Sequence, residues 1–260
     1  MSLSEENTKM KEEYILARIE EVRNYAGIEI NTAKEIPNEN LRMVCLFSIL
    51  DAFAQAHAGY PTNNITETFT KFVLRFHENE NWAFLDQTDP ITFIYDVCRD
   101  YPDLKDLLDD NFTGGGGSIL RLPYLVKSEK TEEIFARLKK NGMIEDKLNS
   151  YRTKHRYVNL LYKLRSKLTH ELSHPGSSFD ARLGEKEPTP FFVSNSVYDN
   201  FNDPNVPPKD EYWMLNVPIG FIEQLVESCV NNYLDYCAEE HIDPFEKNTS
   251  DRKCKKAWYD

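Results

Sequence analysis

Residues 41–53 set apolar side chains on nearly every side of a helix: Leu41, Val44, Cys45, Phe47, Ile49, Leu50 and Phe53. Such a helix is stable only when other elements surround it, so it belongs at the centre of a bundle. Pro37 suits its first turn and Gly59-Tyr60-Pro61 ends it. The densest run, 43–53, carries Ser48 and Asp51 and is shorter than the roughly 20 apolar residues of a membrane span, so no membrane segment is expected.

Partners for this helix follow from the 3.6-residue period. Residues 5–26 read as a helix striped by Met10, Tyr14, Ile15, Ile19 and Val22, with Ser4 as cap and Gly27 as stop. Residues 66–76 repeat the stripe with Phe69, Phe72, Val73 and Phe76. Short helices are expected over 90–99, 103–109 and 131–140, the last ended by Asn141-Gly142. The longest periodic segment covers 144–174 through Ile144, Leu148, Tyr151, Val158, Leu161, Leu168 and Leu172, until Pro175-Gly176 stops it. Pro218 opens a last amphipathic helix through Phe221, Ile222, Leu225, Val226, Cys229 and Tyr233. The glycines at 114–117 form a flexible loop; no GKS or GKT follows, so it is no phosphate loop. Within and after a loop over 175–210, Phe191-Phe192-Val193 and Tyr212-Trp213-Met214-Leu215 are able to pair as a hairpin. The expectation is an all-α fold, a single helical domain over 1–260 with a long loop insertion and one small hairpin.

With 40% apolar and 12% aromatic residues the chain has a core's worth of side chains, which excludes global disorder. The five cysteines are odd in number and make no CxxC pair, so reduced thiols are expected rather than disulfides or a cysteine zinc site. The first residues lack a basic and apolar leader, which points to a cytoplasmic protein. A formal charge of −12 disfavours nucleic acid as a partner, but its distribution matters more than its sum. Between Tyr151 and His170 stand Arg152, Lys154, Arg156, Lys163, Arg165 and Lys167 with no acidic residue, leaving −18 on the rest. Such a stripe either focuses a polyanion or is a solvated face paired with acidic neighbours.

Two motifs overlap in residues 164–174. His170, Glu171 and His174 form His-Glu-x-x-His, which on a helix stacks two zinc ligands beside a general base. Pro175 follows directly and disfavours helical geometry at His174, and Glu185, Glu187 and Glu223 are merely available as a third ligand. Arg165 and His170 form Arg-x4-His, which pairs a permanent cation with a group titrating near neutrality. Five helical steps separate these two by roughly 140° around the axis, so convergence needs a bend near Thr169 or a composite site. Arg165 also shares a side with Leu161, Leu168 and Leu172, and Asp51 lies in the most apolar helix; each needs a partner, and an Asp51–Arg165 pair satisfies both.

The run from Tyr157 to Glu171, with Leu161-Tyr162-Lys163-Leu164-Arg165 leading into His170, resembles the signature helix of HEPN-like domains. Residues 46–51, 69–73 and 213–218 resemble that superfamily's central helix, the helix after it and its closing segment. The resemblance covers about half the chain, with core helices at about 37–77, 143–174 and 218–241, and with 78–142 and 175–217 as insertions. It implies metal-independent RNA cleavage of a toxin or antiviral-defence type, with no cofactor. His170 would move the proton, Arg165 would hold the phosphate, and Ser166, where many active members carry Asn, Asp or His, would orient the imidazole. Asp51, Glu171 and His174 would support the site, and Lys163, Lys167, Arg152, Lys154 and Arg156 would bind the RNA backbone. The implied partners are RNA, a second copy in a homodimer, and an antitoxin or defence protein. A non-catalytic HEPN-like module binding RNA, nucleotide or protein is the alternative, and a zinc hydrolase through His170 and His174 the second.

Overall fold

The computed structural model describes residues 3–59, 64–101, 119–121, 130–171, 189–197 and 210–246. Helices α1 (Leu3–Lys34), α2 (Glu39–Ala58), α3 (Ile65–Phe76) and α4 (Pro90–Asp100) come first, with a 3-10 helix at Glu80–Asp86. The short strand β1 (Ile119–Arg121), helices α5 (Lys130–Lys140), α6 (Glu145–Lys154) and α7 (Tyr157–Glu171), strands β2 (Phe191–Val197) and β3 (Asp210–Asn216) and helix α8 (Ile219–Glu239) complete the order. The all-α expectation holds, with one small sheet. Its expected hairpin is β2–β3, antiparallel with Val193 opposite Met214, and β1 adds a third strand on the far side of β2. The helix expected over 103–109 and the glycines at 114–117 lie outside the described residues.

The described residues gather into two compact units, one drawn from 1–82, 165–173 and 222–260, the other from 83–164 and 174–221. In the first, α2 is the central helix that its sequence requires. Met43, Leu46, Phe47, Leu50 and Phe53 are buried with Ile19 and Val22 of α1, Phe69 and Phe72 of α3, and Leu225 and Cys229 of α8. By length and mean hydropathy (1.2) α2 is the one described helix that matches a membrane span, although no such segment was expected. Here its apolar positions form the core of the unit. From α8, Asn232 Nδ2 donates to the Phe76 carbonyl at 2.8 Å and Ser228 Oγ to that of His77 at 2.7 Å, satisfying the end of α3. Cys45, Cys229 and Cys237 are reduced thiols, as expected.

At the start of α2, Asn38 caps the helix by accepting from the Leu41 N–H at 3.0 Å. Asn38→Ala should lower stability by about 1 kcal/mol, read as a shift in the urea midpoint at unchanged slope.

Several helix boundaries differ from expectation. Gly27 does not end α1, and Ser4 lies inside it rather than capping it. The apolar stripe Val22, Ala26, Ile30 and Ala33 continues past the glycine and is buried, and that packing outweighs the roughly 1 kcal/mol a mid-helix glycine costs. The segment 144–174 is not one helix but α6 and α7. Between them, Tyr157 N–H donates to the Gln87 carbonyl at 3.0 Å, and Asp89 N–H to the His155 carbonyl at 2.8 Å. An antiparallel bridge between Thr88 and Arg156 joins these contacts, so the backbone here pairs across the second unit instead of continuing the helical ladder. Pro37 does not enter the first turn of α2 but precedes its cap Asn38, the expected stop at Pro175-Gly176 lies outside the described residues, and Gly142, with φ of 88°, closes α5 as expected.

Candidate functional site

Helix α7 carries Leu161, Leu164 and Leu168 as buried positions, and Arg165 stands one turn beyond Leu161, so its stem is drawn into the apolar side. In the first unit its guanidinium meets Asp51 of α2. Arg165 Nε donates to Asp51 Oδ2 at 2.6 Å, and Nη2 reaches the same oxygen. The two side chains are 19% and 7% exposed, so this is a largely desolvated ion pair. Burial pushes the Asp51 carboxyl above its ordinary pKa, and the charge and hydrogen bond of Arg165 pull it only part of the way back.

The helix runs unbroken past Thr169, whose hydroxyl donates to the Arg165 carbonyl at 2.8 Å. The positions of Arg165 and His170 therefore stand roughly 140° apart around one helix. His170 and Glu171 are its last two residues; their side chains, and His174 altogether, lie outside the described residues. Ser166 is half-buried and Lys167 exposed. Among the described residues no three His, Cys, Asp or Glu side chains gather as a metal site. Of the candidate third ligands, Glu223 is paired with Arg42 at 3.2 Å, and Glu185 and Glu187 lie outside the described residues.

Lys167 belongs to the first unit with Arg165; Arg152, Lys154, Arg156 and Lys163 belong to the second unit, and each has a local partner there. Arg156 Nη1 is 3.0 Å from Asp86 Oδ1, Lys154 Nζ pairs with Asp96, and the Arg152 guanidinium lies 3.8 Å from the centre of the Phe135 ring. Lys163 donates to the Lys154 carbonyl at 3.2 Å, and burial of its ammonium, with the Lys154 charge beside it, lowers its pKa.

The second unit also holds a buried polar network that the sequence reading missed. His155 is only 4% exposed. Its Nε2 lies 3.0 Å from Asp96 Oδ2 and its Nδ1 3.2 Å from Thr92 Oγ1. An ionised Asp96 only accepts, so the neutral ring carries its proton on Nε2. Burial lowers the His155 pKa, with Asp96 opposing and Lys163 and Lys154 assisting. Burial works to raise the Asp96 carboxyl, but Lys154 and His155 together hold it below its ordinary value. Thr92, His155 and Asp96 follow the nucleophile, base and carboxylate order of a hydrolytic triad, yet the ring is closed to substrate and its bonds fix α4 to the α6–α7 junction.

Next to it Asp89 is fully buried and caps α4, accepting from the N–H groups of Ile91 at 3.3 Å and Thr92 at 2.8 Å and from the Tyr157 hydroxyl at 2.9 Å. Burial pushes its carboxyl up to about 6 against the pull of those hydrogen bonds, and raises the Tyr157 hydroxyl well above its usual value. The legible signal was Asp89-Pro90, a cap followed by proline at the first helical position. No protein-family model, curated protein or solved structure matches the chain.

Proposed function

We propose that this chain is a HEPN-like, metal-independent endoribonuclease in which Arg165 holds a phosphate and His170 moves the proton, the site being completed by a second copy. The observation that carries the reading is the Asp51–Arg165 pair. It fixes an arginine head near the end of α7, five residues before the histidine, from the helix that the resemblance makes central. The unbroken helix bears on how the site is completed. With roughly 140° between the two positions, one copy's arginine works most directly with a partner copy's histidine.

A non-catalytic RNA-binding module is the second reading. It is favoured by the depth of Arg165, 19% exposed and already neutralised by Asp51. Incubating RNA with the protein, with and without chelator, separates the readings. Chelator-resistant cleavage that His170→Ala abolishes, with melting unchanged, supports the nuclease. Retained RNA binding with no cleavage by the wild type supports the module. Cleavage that chelator removes would overturn both in favour of a zinc hydrolase.

A further inference from the structure

Between α1 and α2 the first unit carries an open groove of about 760 Å³. It exists because the facing positions are small: Ala26 and Ala33 on α1, and Cys45, Ser48 and Ala52 on α2. Its floor is apolar, from Val22, Ile49 and Phe53, and its rim carries Glu21 and Glu29 against Arg18. The apolar surface continues onto α1, where Tyr25, Ile28 and Tyr14 are 65%, 63% and 66% exposed. Surface of this kind on a folded unit marks a docking site.

One end of the groove is closed by Phe245, whose ring centre is 6.2 Å from that of Phe53. The chain is pinned there: the Tyr233 hydroxyl donates to the Pro244 carbonyl at 2.7 Å, and the Phe245 N–H to Asp243 Oδ1 at 2.8 Å. The described chain thus ends at Glu246, next to a residue of the groove lining, with residues 247–260 still to follow in sequence. They include Lys247, Arg252, Lys253, Lys255 and Lys256 against Asp251 and Asp260, and then Trp258-Tyr259. In a chain of net charge −12 this is a cationic, aromatic segment beside an apolar groove with two acidic residues on its rim.

Reach is no obstacle. Fourteen extended residues cover up to ~46–50 Å, and the α1 wall from Arg18 to Ala33 is about 23 Å long. We propose that residues 247–260 dock in the α1–α2 groove of their own chain, with Trp258 and Tyr259 as apolar anchors and the lysines against Glu21 and Glu29. The tether supplies an effective concentration on the order of mM, so a contact with a dissociation constant of ~0.1 mM is about 90% occupied.

Cys45 lies in the groove and reports on occupancy. The full chain is alkylated with a maleimide and each cysteine's rate is read by peptide mass spectrometry, buried Cys229 and Cys237 serving as folding controls. Docking predicts that the double variant Trp258→Ala/Tyr259→Ala is modified at Cys45 about tenfold faster than wild type, and that an added peptide of sequence 247–260 carrying Cys254→Ser, which consumes no reagent, restores the slow rate. Equal Cys45 rates in wild type and variant would overturn the proposal. So would protection that rises with protein concentration, which would make a second copy the occupant. A third overturning result is protection unchanged in Glu21→Lys/Glu29→Lys, which would remove the charge complementarity.

Discussion

Arg165→Met should destabilise the protein by about 3–4 kcal/mol at pH 7 and by little at pH 4. The substitution keeps an unbranched apolar stem but leaves the Asp51 carboxylate, 7% exposed, without its cation. Removing one partner of a buried pair typically costs 3–5 kcal/mol. Here the cost has a ceiling, because a stranded carboxylate can take up a proton, and protonating it at pH 7 from an unfolded pKa near 3.9 costs about 4 kcal/mol. The folded pKa of Asp51 is already raised by burial, and losing Arg165 raises it further. A raised folded pKa means that the group's contribution is complete below about pH 4 and is lost as pH rises through the folded value. Urea unfolding of wild type and variant at pH 4 and pH 7 checks this. A deficit equal at the two pH values, or one below about 1 kcal/mol at pH 7, would show that the pair is not a desolvated ion pair. The double variant Asp51→Leu/Arg165→Met should recover most of the loss, since well-packed apolar replacements of buried pairs are often neutral. It is then the proper reference for function, because a loss of RNA binding in that folded protein reports on the Asp51–Arg165 pair itself, not on the fold.

That pair shows how far the sequence could be read. A charged residue in the most apolar helix and an arginine on an apolar helix side each demand a partner, and mutual need was enough to name Asp51 and Arg165 together. Elements whose signals are local were legible for the same reason: the Phe69, Phe72, Val73 and Phe76 stripe made α3, and Asp89-Pro90 opened α4. What misled was non-local. Gly27 looks like a stop to any local rule, and only the continued burial of Ile30 and Ala33 carries α1 through it. The period from Ile144 to Leu172 hid a break, because the groups that make it, Gln87 to Asp89, are some 65 residues away in the chain. His155 sits at that break, so its burial was hidden for the same reason.

The network at this break gives the second large effect, and its sign is the less intuitive one. Asp89→Asn should gain stability relative to wild type as pH rises, by about 2–3 kcal/mol between pH 4 and pH 7. Asp89 is fully buried with its carboxyl pushed up to about 6, against about 3.9 in the unfolded chain. Its contribution is therefore complete below about pH 4, declines between pH 4 and 6, and stays low above. Asparagine keeps one oxygen to accept from the Ile91 N–H and the Tyr157 hydroxyl as Oδ1 does, but its NH2 cannot replace Oδ2 as acceptor for the Thr92 N–H, so the variant loses the titration together with one hydrogen bond whose cost is the same at every pH. His155 acts in the opposite sense. Its folded pKa is lowered, so its contribution is present above about pH 6.5 and lost as pH falls. Only the difference between the two proteins, measured at each pH, isolates Asp89. Parallel stability curves for wild type and Asp89→Asn from pH 4 to 7 would mean that the carboxyl does not titrate in this range. Asp89→Ala separates charge from capping, because it strands the buried Tyr157 hydroxyl as well, and adding Tyr157→Phe should return about 1–3 kcal/mol of its loss. The carboxylate is thus kept for the helix start and the hydroxyl it satisfies, at a site where its charge is a burden on stability above pH 6.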